Sequence, residues 1–170
     1  MRPMRLYIDT SVWGGYFDEE FAPITVEFFD AVCAGRFTAL ISDTLVQELI
    51  EAPSHVQDLF ERVLRTPCER LRSTDEIERL RDGYLNARVV SAKYAGDALH
   101  VAHATVARAD VVVSWNFKHL VNPRRERAFN AVNLSLGYGL ISIVTVHRTS
   151  RTRDLHLQHI TFRRPSWCSF

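Results

Sequence analysis

The segment Leu6-Tyr7-Ile8-Asp9-Thr10-Ser11 decides the fold. Its apolar run reads as a strand, and Asp9 closes it. Thr10-Ser11-Val12 then begins a short helix that Gly14-Gly15 weakens. The same rhythm recurs along the chain. Residues 37–41 form a second strand, residues 110–114 a valine-rich third, and Ile141-Ser142-Ile143-Val144 a fourth. Between them lie helical patterns. One runs from Pro23 to about Ala34, with Ile24, Phe28, Ala31 and Val32 at helical spacing and Gly35 as a stop. Another carries Glu48 and is capped by Asp43 or Thr44. Pro53 opens a third, to about Leu64, and a charged helix covers Thr74 to Ala87. Helix 97–108 is apolar around most of its circumference and should be buried; helix 125–136 ends before Gly137. Strands alternating with helices predict a three-layer α/β fold, with a parallel sheet of about four to five strands.

Four acidic or amide residues occupy the element junctions. Asp9 and Asn116 end strands, Asp97 opens a helix, and Glu48 lies on the helix after the second strand. In an open parallel sheet, sites form outside the carboxyl ends of the strands, so these four can converge. Clustered carboxylates repel one another unless a hard cation sits between them, and Mg²⁺ or Mn²⁺ is the usual occupant. Alone, each residue has an ordinary explanation as a turn, a cap or a solvated charge. Together, and in this order, they point to a metal site. Asp9 and Asp97 are the best direct ligands, and Glu48 binds directly or through water. Asn116 offers a neutral oxygen, or an amide to a coordinated water. Ser11 and Ser114 can orient the carboxylates, and His100 shares a helix face with Asp97.

Composition sets wide bounds. With 170 residues, 46% hydrophobic and 24% charged, the chain is long enough for one domain with a substantial core. The net charge of +1 does not by itself point to nucleic acid. The distribution is uneven: residues 147–170 hold five arginines against Asp154, a tail of +4, which leaves residues 1–146 at −3. Cys33, Cys68 and Cys168 have no C-x-x-C spacing and read as thiols of a reducing compartment. No run approaches membrane-spanning length and no secretory pattern opens the chain, so a cytoplasmic protein is expected.

The ordered set Ile8-Asp9-Thr10-Ser11, Gln47-Glu48-Leu49, Asp97-Ala98-Leu99-His100-Val101-Ala102 and Ser114-Trp115-Asn116 resembles the PIN domain, and more narrowly the toxin nucleases of VapC type. The resemblance covers roughly residues 4–146. It implies a PIN-like domain over 1–146, with 147–170 as a basic C-terminal extension beyond the usual pattern. It implies an endoribonuclease dependent on Mg²⁺ or Mn²⁺, often homodimeric, acting on single-stranded RNA and paired with an antitoxin in a type II system. The alternatives are a PIN-like RNA-binding protein that has lost catalysis, or an RNA-processing or DNA-repair nuclease with no antitoxin. Asp9, Glu48 and Asp97 match the three core acids. Asn116 stands where many members carry a fourth, which bears on whether one or two ions bind.

Lys118, Arg124, Arg125 and Arg127 follow Asn116 closely, and a basic cluster beside a metal site suits a phosphodiester backbone. Trp115 and Trp13 can either stack bases or pack in the core. Asp110, at the opposite end of its strand from Asn116, reads as a helix terminator or turn cap. The tail is expected to lie along the surface, ordered by a partner through Trp167 and Phe170.

Overall fold

The computed structural model describes residues 2–148 and 155–158. Strands β1 (Met4–Ile8), β2 (Phe37–Ser42), β3 (Cys68–Leu71), β4 (Val111–Val113), β5 (Ile143–Arg148) and β6 (Leu155–Gln158) form one sheet, in the order β3-β2-β1-β4-β5-β6. The first five are parallel, and β6 pairs antiparallel with β5. The helices are α1 (Thr10–Gly15), α2 (Ala22–Cys33), α3 (Asp43–Ile50), α4 (Ser54–Leu64), α5 (Asp75–Asn86), α6 (Ala95–Val106) and α7 (Pro123–Ser135). This is the α/β architecture that the strand–helix alternation predicts.

Period-two alternation sorts the core into two layers. Leu6, Ile8, Ala39, Ile41, Val113 and Val144 face α1–α4, where Trp13, Phe28, Phe29 and Phe60 fill the space. Tyr7, Leu40, Val112 and Ile143 face the other way, onto Leu80 and Tyr84 of α5, Val101 and Ala102 of α6, and Phe129 of α7. Both faces of the sheet are covered, which is why its central strands read as continuous apolar runs. Each fully buried Leu, Ile or Phe contributes about 1.5–3 kcal/mol through the water it excludes. The order reverses at β1, whose neighbours are β2 on one side and β4 on the other. A crevice at the carboxyl ends of β1 and β4 follows from that reversal.

Several local expectations change. Two strands fall where the sequence shows no apolar run. Cys68–Leu71 is an edge strand with half-exposed side chains, and its Glu69 pairs with Arg5 of β1 at 2.5 Å. Leu155–Gln158 lies inside the tail, so the sheet continues past residue 146. The rest of that tail, including Trp167 and Phe170, lies outside the described residues. Ser42, not Asp43 or Thr44, caps α3: its Oγ accepts from Leu45 N–H at 3.1 Å. Asp43 sits in the first turn instead and accepts from Ser73 N–H. Helix α6 ends at Val106, with Arg108 in the left-handed region at φ 51°. Asp110 therefore neither stops the helix nor caps its end; its carboxylate accepts from Arg5 N–H at 2.7 Å and so ties β4 to β1. Trp13 cannot stack a base, because it is wholly buried against Phe29 and Phe60. Among the described residues no helix is long and apolar enough to cross a membrane.

Gly15 ends α1 where the Trp115 indole passes. A Cβ on Gly15 would lie 2.7 Å from Trp115 Cδ1 and 2.8 Å from Nε1. The indole is held by stacking on Phe21 and by donating to Thr25 Oγ1 at 3.2 Å. Gly15→Ala should therefore cost about 1–3 kcal/mol through overpacking, more than the roughly 0.5–1 kcal/mol that alanine gains over glycine in a helix. Urea denaturation measures this. An unchanged midpoint would show that the indole moves aside freely.

Candidate active site

Asp9 leaves β1 at the position that caps α1, yet it makes no side-chain cap to that helix. Its carboxylate is taken elsewhere. Oδ2 accepts from Ser11 Oγ at 2.5 Å and from Ser114 Oγ at 2.8 Å. Each hydroxyl is itself aimed by a backbone N–H, Trp115 onto Ser11 at 3.0 Å and Asn116 onto Ser114 at 2.9 Å. The β1 and β4 exits are thus laced together, and Asp9 N–H adds a bond to Val113 O at 2.9 Å. Ser11 and Ser114 orient the carboxylate as the sequence suggests.

Glu48 reaches the same place from α3. It accepts a hydrogen bond from Thr10 Oγ1 and lies 3.0 and 3.2 Å from His100 Nε2 through its two oxygens. The same Nε2 stands 3.9 Å from Asp9 Oδ1. On the far side of the ring, Nδ1 meets the Tyr7 hydroxyl at 2.7 Å, which in turn meets Ser42 Oγ at 2.7 Å. His100 is only 2% exposed, so this chain of contacts fixes its ring. Burial pushes the imidazole pKa down, but the Glu48 hydrogen bond and the charges of Asp9, Glu48 and Asp97 outweigh it and leave it raised. Burial likewise pushes Glu48 up, and its bonds to His100 and Thr10 bring it below the ordinary carboxylate range. The two shifts agree on a charged pair.

Asp97, in the first turn of α6, receives less. Asn116 Nδ2 donates to its Oδ2 at 3.3 Å. Burial and the charge of Asp9 push Asp97 up to about 6, Glu48 adds to this, and His100 and Asn116 only partly offset it. Asn116 turns its oxygen away: Oδ1 accepts from His119 N–H at 3.0 Å. The four predicted residues therefore meet in one network of hydrogen bonds and charges. Among the described residues, however, no group of three or more His, Cys, Asp or Glu side chains stands ready to hold a metal ion. Glu48 is occupied by His100 and Thr10. The donors match a hard cation in kind, as carboxylate, amide and hydroxyl oxygens.

Thr10, Tyr7 and Ser42 belong to the site although nothing in the sequence singles out their roles. Thr10 stands inside the quoted Ile8-Asp9-Thr10-Ser11, and its place at the helix start was the available signal. His103 follows His100 by three residues on α6. It is buried, stacks on Tyr7 and contacts Thr44 Oγ1 at 3.0 Å, and burial lowers its pKa to about 4. Lys118, Arg124 and Arg125 lie on the loop and helix after Asn116, with Lys118 and Arg124 exposed and Arg125 half-buried.

The Asp97 shift has a consequence for stability without metal. Its ordinary value is 3.8 and its folded value about 6, so the folded state binds the proton more tightly. Stability then falls as pH rises from about 4 to 6, and the cost is fully present above that window. Asp97→Asn should melt higher than the parent at neutral pH in EDTA, with the gap closing near pH 4. Thermal melts across that range check it; a gap independent of pH would exclude the like-charge account.

Sequence comparison finds no matching family model and no matching curated protein. Structural comparison does find likeness. The chain matches one in the crystal structure of VapBC2 from Rickettsia felis bound to a DNA fragment from their promoter, with a TM-score of 0.54 and 12% identity, covering 84% of this chain and 98% of that one. At that identity the likeness bears on architecture, and it agrees with the sheet order and the two helical layers: the chain has a PIN-like fold of VapC type.

Proposed function

We propose that the chain is an endoribonuclease dependent on Mg²⁺ or Mn²⁺, the toxin of a type II toxin–antitoxin pair. The observation that carries this reading is the meeting of Asp9, Glu48, Asp97 and Asn116 at the switch point of the sheet, with like charge left uncompensated at Asp97. Asp9 and Asp97 would hold the ion, with Glu48 joining on release from His100. Once bound there, the ion would supply positive charge to the phosphoryl oxygens and lower the pKa of an attacking water. The protein's own part is positional. Ser11 and Ser114 hold Asp9, His100 and Thr10 hold Glu48, and Asn116 holds Asp97. Lys118, Arg124 and Arg125 would meet the RNA backbone. The fold shared with a chain of a VapBC2 complex supports an antitoxin partner; a homodimer in the cytoplasm is part of the same proposal.

A second reading, RNA binding without cleavage, draws on the engagement of Glu48 by His100 and on the outward turn of the Asn116 oxygen. Incubation of structured and unstructured RNA with Mg²⁺, Mn²⁺ or EDTA separates the two. The nuclease reading expects cleavage of unstructured RNA that stops in EDTA. It also expects Asp9→Asn and Asp97→Asn to lose roughly 100-fold or more in rate while remaining folded, on the scale of deleting a group that stabilises transition-state charge. Full activity in Asp97→Asn would remove that residue from the catalytic set.

Asn116→Asp makes a distinct prediction. It replaces the amide that now faces Asp97 with a fourth carboxylate, a harder ligand. Calorimetry should show tighter Mn²⁺ binding, and melts in EDTA should show lower stability. Weaker or unchanged Mn²⁺ affinity would place residue 116 outside the coordination sphere.

A further inference from the structure

Beside the Asp97–Asn116 pair lies a group of cations drawn from separate parts of the chain. Lys93 belongs to the short 3₁₀ turn Ala92–Tyr94, which runs directly into α6 four residues before Asp97. Lys118 is two residues beyond Asn116, and Arg125 is in the first turn of α7. A ring contact brings these segments together. Tyr94 and His119 have centroids 3.7 Å apart with planes inclined by 31°, and His119 N–H donates to Asn116 Oδ1 at 3.0 Å. The Lys93 ammonium lies 5.7 Å from the Tyr94 centroid, within cation–π range.

The three cations bear on one point. Burial lowers the His119 pKa, and the charges of Lys118, Arg125 and Lys93 lower it further. His119 is 9% exposed, and its Nδ1 is buried with no hydrogen-bond partner. None of the ion pairs among the described residues takes up Lys93, Lys118 or Arg125. Uncompensated like charges held close together cost free energy, and a ligand of opposite sign removes that cost. The acids next door repel a polyanion, so a strand approaching them needs positive charge beside them.

We propose that Lys93, Lys118 and Arg125 form a phosphate subsite, binding a phosphodiester of a single-stranded nucleic acid next to the one held at the acids. The subsite rests on the nuclease reading and deepens it by adding Lys93, which a separate segment brings up to His119 through Tyr94. A strand gripped by cations from separate segments is held beside Asp97.

Fluorescence anisotropy of a labelled oligouridylate, measured in EDTA over a series of KCl concentrations, tests this without cleavage. Each phosphate neutralised contributes about 0.7 to the slope of log affinity against log salt for a single strand. Lys93→Ala and Lys118→Ala should each flatten the slope by about that amount, while Lys93→Arg retains it. Circular-dichroism melts of each variant establish that it is folded. A Lys93→Ala protein that is folded and keeps the parent slope would overturn the subsite, whether or not the parent cuts RNA. A parent that binds with a Lys93-dependent slope but never cuts RNA with Mg²⁺ or Mn²⁺ would retain the subsite and sink the nuclease reading. Absence of any binding by the parent would overturn the subsite, and the nuclease reading would still be decided by cleavage with Mg²⁺ or Mn²⁺.

Discussion

One carboxylate oxygen ties together the two strands on which the site depends. Asp9 Oδ2 takes hydrogen bonds from Ser11 on one side of the switch point and from Ser114 on the other. Asp9 is 4% exposed, and a charge so buried is costly unless its lone pairs are filled. Hydrogen bonds to a charged group contribute about 1.5–3 kcal/mol each, enough to hold the ion in place. The two hydroxyls are aimed by Trp115 and Asn116 N–H, so the β4 exit loop follows wherever Asp9 is fixed. The crevice is therefore a consequence of how the fold accommodates a buried charge at the sheet reversal.

The rest of the site divides its charge unequally. His100 serves Glu48 and stands near Asp9, and Tyr7 and Ser42 hold it from behind across the sheet's own side chains. Asp97 has the long Asn116 amide bond and the more distant His100 charge. The imbalance leaves one place where added positive charge gains most, between Asp9 and Asp97. The cations grouped around His119 are joined to Asp97 through Asn116. On the proposed reading, a hard cation at the acids and a polyanion at the lysines complete each other's binding.

Much of this was legible in the sequence, for physical reasons. The central strands and Asp9, Glu48, Asp97 and Asn116 stand out because buried parallel strands demand apolar runs and the site sits at their ends. The edge strands were hidden because an edge carries polar and charged side chains, as Cys68-Glu69-Arg70-Leu71 does. The Ser42 cap looked like the end of a strand, and it is both. Thr10 and Tyr7 gave no signal of their own, since a threonine at a helix start and a tyrosine in a strand are ordinary. Lys93 stayed hidden because its partners lie more than twenty residues away and meet it only through the Tyr94–His119 contact. The Glu48–His100 pairing was not legible: helix spacing puts His100 on the face of Asp97, while the packing of α3 against α6 brings Glu48 to its Nε2.

The central claim is that the crevice between Asp9 and Asp97 is a hard-cation site. Anomalous diffraction from crystals of the full chain grown with Mn²⁺ tests it most directly. The account predicts one strong manganese peak touching oxygens of both Asp9 and Asp97, with Glu48 drawn from His100 toward it. No peak there at saturating Mn²⁺, or a peak bound only by surface carboxylates, would contradict it.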